Sequence, residues 1–476
     1  MKSRNPWFHF HGSIPVSSLI GAHAGRRMPV MNPPLPVRRR LLVALALATA
    51  GAAGEPPADA LLAAAPERIS RHRMGTLAVR VVDAEGRPLA GVRVTTGQLR
   101  HQFLFGCNIF AFDRFATPAE NQLYQEQFAA LFNFATLPFY WSSYERRPGE
   151  TDAERIARIA GWCHNHRITP KGHPLVWNHP AGAPGWLPDD PAAVAKLSDA
   201  RVRDCVTRFR GLIDLFDVVN EAADPLRDGM DNPMTALVRH RGVEAYTRTP
   251  FELARAANPE ATLLINDYRT DAAYEKVIQQ LRAGDTPLYQ VIGIQSHMHD
   301  GLWPAARTWE TCERFARCGA PLHFTETTLV SGPREGDRWG ATTPELEQTQ
   351  ARQVVEFYTL LFSHPEVEAI TWWDLADAHA WQGAPAGLLR RDLSRKPAFT
   401  ALHELVRNQW WTRTNTPTGP DGTASVRAFF GTHRVSCSLP DGRSAAAEVA
   451  LDRRQGHAAC ELMLHAPPGR PAPPGR

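Results

Sequence analysis

From about residue 100 onward, the chain alternates short, nearly continuous apolar runs with longer stretches whose apolar residues recur at helical spacing. The short runs fall at 104–110, 133–138, 168–177, 215–221, 262–268, 291–297, 321–328 and 369–377. Between them, stretches such as 152–165, 193–209 and 343–363 carry the period of an amphipathic helix. Strand–helix alternation predicts a parallel sheet, and eight repeats predict its closure into an α/β fold, the (β/α)8 TIM barrel. An open doubly wound sheet is disfavoured, because no glycine-rich nucleotide loop follows an early strand.

The flanks read differently. Residues 77–82 and 89–94 alternate apolar and polar positions around the turn-rich stretch 83–88, which predicts a hairpin. Four more alternating runs follow the barrel, at 424–430, 433–439, 445–452 and 459–464. A closed barrel makes its first and last units neighbours. The two β segments are therefore expected to emerge together and build one small sandwich-like module. The domain plan is a leader over 1–54, a linker over 55–74 and an N-terminal β segment over 75–99. The barrel then spans 100–411, the C-terminal β segment 419–465, and a Pro- and Gly-rich tail 466–476, expected to be disordered.

Within the leader, Arg38-Arg39-Arg40 precede an apolar run over 41–50 and small residues through Gly54. A basic start, a short apolar core and a small-residue cleavage zone predict a secretory signal, so the chain is expected to be secreted or periplasmic. The run is shorter than the roughly 20 residues a membrane-spanning helix needs. Its interior position suggests that translation starts at Met28 or Met31. Of seven cysteines, only Cys312 and Cys318 are close in sequence, and no Cys-x-x-Cys spacing appears. Cys107 sits in an apolar run, where a buried thiol is expected, and no disulfide framework is predicted.

Composition narrows the function. With 53 basic and 49 acidic residues the net charge is +4, too small to suggest a nucleic-acid partner. The 13 Trp outnumber the 8 Tyr. Indole rings stack on flat apolar faces, so their location matters.

Polar and aromatic residues gather where the predicted strands end. His173 and Trp177 close the third run, Asn220 and Glu221 the fourth, and Asn266, Asp267 and Tyr268 the fifth. Gln295 and His297 close the sixth, Glu326 the seventh, Trp373 and Asp377 the eighth. A lone polar residue there could be a satisfied core group. Six consecutive ends of this kind point to one mouth, the place where barrel active sites form. Glu221 and Glu326 supply two carboxyls, the minimal equipment for glycoside hydrolysis, in which one carboxyl stays protonated and the other ionised.

On these residues the chain resembles glycoside hydrolase family 10, the xylanase-type barrels, over about 100–407. Phe216-Asp-Val-Val-Asn-Glu221 is similar to the family's Trp-Asp-Val-Val-Asn-Glu, and Lys171-Gly-His-Pro-Leu-Val-Trp177 to its Arg-Gly-His-Thr-Leu-Val-Trp. Gly293-Ile-Gln-Ser-His297 matches Gly-x-Gln-Ser-His, and His323-Phe-Thr-Glu326 resembles Ile-Thr-Glu. Thr371-Trp-Trp-Asp-Leu-Ala-Asp377 with Trp381 resembles Thr-x-Trp-Gly-x-x-Asp-x-x-x-Trp, and Gly387-Leu-Leu389 with Lys396-Pro-Ala-Phe399 matches the closing stretch.

The resemblance implies a retaining mechanism with the carboxyls about 5–5.5 Å apart. Glu326 is implied as nucleophile and Glu221 as acid/base. Asn220 would bond the sugar 2-OH, and His297 would orient Glu326. His173, Gln295 and Trp177 would line the reacting subsite, with Trp373 and Trp381 as an aromatic wall; Asp267 and Tyr268 match the family's Asn-Asp-Tyr stretch. The expected activity is cleavage of β-1,4 bonds in xylan or a related plant polysaccharide.

The chain also departs from the pattern. The family's second strand ends in Glu-Asn followed by Lys-Trp, which bind the sugar beyond the reacting one; here it reads Thr136-Leu-Pro-Phe-Tyr-Trp141. Asn178-His-Pro-Ala lacks the family's Gln, Thr327-Thr328 replaces Leu-Asp, and Asp374 replaces Gly. These changes remodel the distal glycone site, so a β-glycanase acting on another polysaccharide is the alternative substrate reading. His297-Met-His299 invites a metal reading, but no third ligand is evident, and neither metal nor cofactor is expected. A non-catalytic carbohydrate-binding barrel is the other alternative. A polysaccharide is the expected partner, with no membrane partner after signal removal, and a monomer is expected.

Overall fold

The computed structural model describes residues 58–465 except 337. The leader, the signal segment and the tail from 466 lie outside the described residues. Two helices open the described chain, α1 (Ala58–Ala63) and α2 (Ala65–Arg73), where the sequence predicted a linker. The reason is visible in the spacing: Leu61, Ala65 and Ile69 recur every four positions and are all buried. Leu61 packs against Ala305 and Leu360 of the barrel's helices. Buried Arg73 closes the pair, donating to the carbonyls of Phe362 (2.6 Å), Val367 (2.8 Å) and His364.

Strands β1 (Met74–Asp83) and β2 (Arg93–His101) follow. The barrel strands are β3 (Leu104–Asn108), β4 (Phe134–Pro138), β5 (Thr169–His173), β6 (Leu215–Asn220), β7 (Thr262–Asp267), β8 (Val291–Met298), β9 (Leu322–Leu329) and β10 (Val367–Trp372). All eight predicted strands are present, in parallel and in sequence order, and the ring closes where Ala369 of β10 pairs with Leu104 of β3. Their residues are buried on both faces, as expected for strands between a filled interior and a helical coat. Several of the helices between them begin at side-chain caps. Thr117 and Glu120 form a reciprocal capping box before Pro118–Leu131, and Asn232 caps Pro233–Ala257. Among the described residues, no helix is long and apolar enough to cross a membrane.

Several runs are shorter than predicted at their C-terminal ends. Pro174 follows directly on β5, and beyond it only an isolated bridge, Val176 to Val219, continues the pairing. Trp177, Glu221, Trp373 and Asp377 therefore sit just beyond the strand ends rather than on the strands.

After the barrel come β11 (Arg413–Pro417), β12 (Thr423–Phe429), β13 (Gly431–Ser438), β14 (Ser444–Leu451) and β15 (His457–Leu464). The flanking strands do form one two-sheet module, in the orders β12-β1-β15 and β11-β2-β13-β14. Only the tip of the predicted hairpin forms: an antiparallel bridge joins Val82 to Pro88, with Asp83 N–H donating to the carbonyl of Arg87 (3.0 Å) and Leu89 N–H to that of Val81 (2.9 Å), and beyond it β1 and β2 enter different sheets. The carboxylate of Asp83 closes the turn by accepting the backbone N–H of Glu85 (3.0 Å) and Arg87 (2.9 Å). β11, with the sequence Arg-Thr-Asn-Thr-Pro, has no apolar pattern and was not predicted; it pairs along β2 as an edge. Leu77, Val79 and Val81 of β1, Val94, Val435 and Leu462 fill the space between the sheets.

Candidate active site

Glu221 is the first residue after β6. Its φ of 59° lies in the left-handed region, unusual for a residue with a side chain and a feature concentrated at functional sites. Its backbone N–H donates to the carbonyl of Asn266 (2.8 Å), which fixes the turn. The carboxyl accepts from Trp177 Nε1 at 3.0 Å and, more distantly, from Gln295 Nε2 at 3.4 Å. Arg227, six residues on, forms an ion pair with the oxygen that Trp177 reaches. Burial raises the pKa of Glu221 above the usual glutamate range against the pull of Arg227, and the charge of Glu326 pushes it further up.

Glu326 lies within β9, where the ladder is irregular. The pairing of β8 with β9 shifts between Ile294 and Gln295, and that of β9 with β10 shifts between Phe324 and Thr327. Such irregularities redirect a side chain locally. One Glu326 oxygen accepts from Asn266 Nδ2 at 2.7 Å and the other from His297 Nε2 at 3.1 Å. Nδ1 of His297 lies 2.8 Å from the hydroxyl of Thr328. Burial opposes the charge on Glu326. His173, the His297 hydrogen bond and Lys171 together outweigh it and hold the carboxyl below the usual glutamate range.

Behind Glu326 is a buried chain of charges. Lys171 Nζ and His173 Nδ1 both donate to Oδ2 of Asp217, each at 2.6 Å, and His173 Nε2 stands 3.7 Å from Glu326. Burial disfavours ionised Asp217, but Lys171 and His173 hold its pKa below the usual aspartate range. Asn266 ties the two halves of the site together. Thr325 donates to its Oδ1 (2.5 Å), so its Nδ2 faces both Glu326 and Asn220 Oδ1 (2.8 Å). Gln295 Nε2 also reaches Asn220 Oδ1 at 3.2 Å.

Aromatic rings enclose this centre. Trp373 meets His173 and His297 edge-on, with centroids at 5.5 and 5.8 Å. Trp381 leans over His297 at 4.6 Å and over His299 at 5.0 Å. His299 is thus part of an aromatic stack; among the described residues no group of three or more His, Cys, Asp or Glu is placed to hold a metal ion. Trp177 stacks on His179 at 4.1 Å and tilts against Tyr140 at 5.8 Å.

The structure brings His173, Trp177, Asn220, Glu221, Gln295, His297, Glu326, Trp373 and Trp381 together. Asp267 and Asp377 turn to the scaffold instead. Asp267 accepts the backbone N–H of Ala223 (2.8 Å) and Arg269 (2.9 Å), bracing the loop after Glu221. Asp377 pairs with buried Lys396 at 2.8 Å. Asp374, the residue in place of glycine, accepts from Asn108 (3.3 Å) and the backbone of Trp381 (2.9 Å), and burial raises its pKa to about 6.

Lys171, Asp217, Tyr140 and Arg227 complete the neighbourhood and were not singled out from the sequence; Asn266 was read at the end of the fifth run but given no role there. Lys171 and Asp217 carried a subtler signal, since a charge inside a buried strand needs a partner.

Comparison with known proteins gives a consistent result. The family model described as glycosyl hydrolase family 10 matches residues 99–405. Endo-1,4-beta-xylanase A of Caldicellulosiruptor saccharolyticus is 25% identical over 280 residues, covering 53% of this chain and 79% of that protein. The anti-sigma-I factor RsgI6 of Acetivibrio thermocellus is 24% identical over 383 residues, covering 79% of this chain; the chain spans 46% of that relative. Among solved structures, a GH10 protein from Paenibacillus barcinonensis superposes with a TM-score of 0.55 at 22% identity, over 64% of this chain and 96% of that one. Xylanase 10B of Thermotoga petrophila RKU-1, in complex with xylobiose, gives 0.55 at 20%, over 65% and 95%. With eight parallel strands, one glutamate just past the fourth and one within the seventh, and a family match across most of the barrel, the chain belongs to glycosyl hydrolase family 10.

Proposed function

We propose that the protein is a retaining glycoside hydrolase that cleaves β-1,4 bonds of xylan or a related polysaccharide by double displacement. The observation that carries this reading is the opposed environment of the two glutamates. Glu326 is held ionised by His297 and the Lys171–Asp217–His173 chain, while burial and the neighbouring anion favour the proton on Glu221. Groups whose surroundings push their pKa values apart divide the acid and base work.

In the first step a Glu326 oxygen bonds to the anomeric carbon as the glycosidic C–O bond breaks, and the departing oxygen takes the proton of Glu221. In the second, Glu221 accepts a proton from water, and the resulting hydroxide oxygen displaces Glu326 from the same carbon. Asn220, its Oδ1 already engaged by Asn266 and Gln295, has its NH2 left to hydrogen-bond the sugar 2-OH. Trp177, Trp373 and Trp381 offer flat faces to the sugar rings. Xylan is favoured by the xylanases among the relatives; export is inferred from the leader. The direct test is reducing-sugar release across xylan, glucan and arabinogalactan, with NMR of the anomer first formed. An initial α product would remove the retaining mechanism.

The pH profile should be bell-shaped. Activity needs Glu326 ionised, so its lowered pKa places the acid limb below the ordinary glutamate value of about 4.3. It needs Glu221 protonated, so the raised pKa places the basic limb above that value. A basic limb at or below it would contradict the assignment.

Glu221→Ala should slow hydrolysis of a xylo-oligosaccharide by about 10²–10⁴-fold. An aryl glycoside whose leaving group needs no proton should be glycosylated onto the enzyme at nearly the normal rate. Equal losses on both substrates would argue against Glu221 as the acid.

A further inference from the structure

A general acid must carry a proton when the bond breaks, yet Glu221 in the free enzyme is paired with a guanidinium. Arg227 sits on the loop that leads from β6 to the helix at Asn232, with its Nη1 tied to the carbonyl of Asp224 at 3.1 Å. Its guanidinium lies over the ring of Tyr268 at 5.4 Å. Asp224 directs its carboxylate to Arg269, so among the described residues Glu221 is the one carboxylate that Arg227 pairs with. The position is at the rim: Arg227 remains 20% exposed, beside half-exposed Leu226 and exposed Tyr268. Because the acid must meet the leaving oxygen, Arg227, paired with the Glu221 carboxyl at the rim, stands beside the departing sugar.

We propose that Arg227 is a positioning residue that senses a uronic acid: a carboxylate on the sugar leaving past Glu221 replaces Glu221 as the partner of its guanidinium. Planar guanidinium and carboxylate groups suit such an exchange, because they can form two parallel hydrogen bonds. Among the described residues, the other charged or titratable groups around the pair are Glu326, Asp267, the phenols of Tyr140, Tyr246 and Tyr268, and His179, whose pKa burial lowers to about 4. None is cationic. Once the guanidinium turns away, Glu221 takes a proton from hydronium in the solvent, leaving water, and passes it to the glycosidic oxygen as the C–O bond breaks. An acidic substrate thereby arms the acid that cleaves it.

The inference rests on Glu221 being the acid of a glycosidase. The test compares the full-length wild type, Arg227→Ala and Arg227→Lys on an unsubstituted xylo-oligosaccharide and on one with a glucuronosyl branch. In Arg227→Ala the ratio of kcat/KM, branched over unbranched, should fall about tenfold or more. The basic limb on the unbranched substrate should move to higher pH, and Arg227→Lys should recover part of both effects. A loop brace alone would lower melting temperature and both rates together, leaving ratio and limb in place; that result overturns the proposal. A wild type that cleaves neither substrate removes the glycosidase reading, and this proposal with it.

Discussion

Glu326→Ala is expected to lower kcat/KM on a xylo-oligosaccharide by about 10⁴–10⁶-fold, the scale on which removal of a nucleophile is felt. Without Glu326 there is no group to form the glycosyl-enzyme, although Glu221 can still protonate the leaving oxygen. The fold should survive, since the alanine removes a buried anion whose partners, His297 and Asn266, have other hydrogen bonds with Thr328 and Thr325. Added azide, small enough for the vacated space, should attack an activated β-glycoside from the face Glu326 occupied and give an α-glycosyl azide. Burst kinetics and product NMR check both expectations. A variant within tenfold of wild type would remove Glu326 as nucleophile. A wild type that binds oligosaccharide without cleaving it would instead support a carbohydrate-binding barrel.

The largest stability effect should come from Lys171→Met. Lys171 and Asp217 are completely buried, at 0% exposure each, and Asp217 depends on the lysine for its charge. Breaking such a pair from one side costs about 3–5 kcal/mol, because the remaining ion is left without its counter-charge. Adding Asp217→Asn should restore part of the loss, as measured by chemical denaturation. The pH dependence has a definite sign. Asp217 has a lowered folded pKa, so its contribution in the wild type is present above its unfolded value near 3.9 and is lost as pH falls through the lower folded value. In the lysine variant the folded pKa moves up toward the unfolded value, so that acid-side loss should shrink. A destabilisation under about 1 kcal/mol would mean that the pair is solvated and that the coupling to Glu326 is weaker than drawn.

The barrel was legible because strands buried on both faces read as continuous apolar runs, and because eight of them alternate with amphipathic helices. Glu221, Glu326 and His297 were legible for the same reason: each lies in the C-terminal part of such a run or just past it, where polar side chains have no packing purpose. The partners of β1 were not. The turn at 83–88 is local and visible, whereas pairing with β12 and β15 depends on strands hundreds of residues away. Lys171 and Asp217 sit inside two different strands, and only the parallel pairing of those strands makes them neighbours. Arg227 lies in an irregular loop with no period to mark it. The helices over 58–73 carried a four-residue spacing that an Ala- and Pro-rich composition obscured.

The pairing of β1 also sets an order of events during synthesis. Arg80 on β1 hydrogen-bonds Glu461 on β15, 381 positions later in the chain. At roughly 5–20 residues per second, the ribosome takes roughly 20–80 s to deliver that partner. Through that interval Leu77, Val79 and Val81 have no sheet to enter, while the barrel between them is being completed. Early strands waiting for late ones are exposed to pairing with other chains. A premature stop after the barrel would therefore release a finished catalytic core that carries an orphaned, aggregation-prone strand at its front.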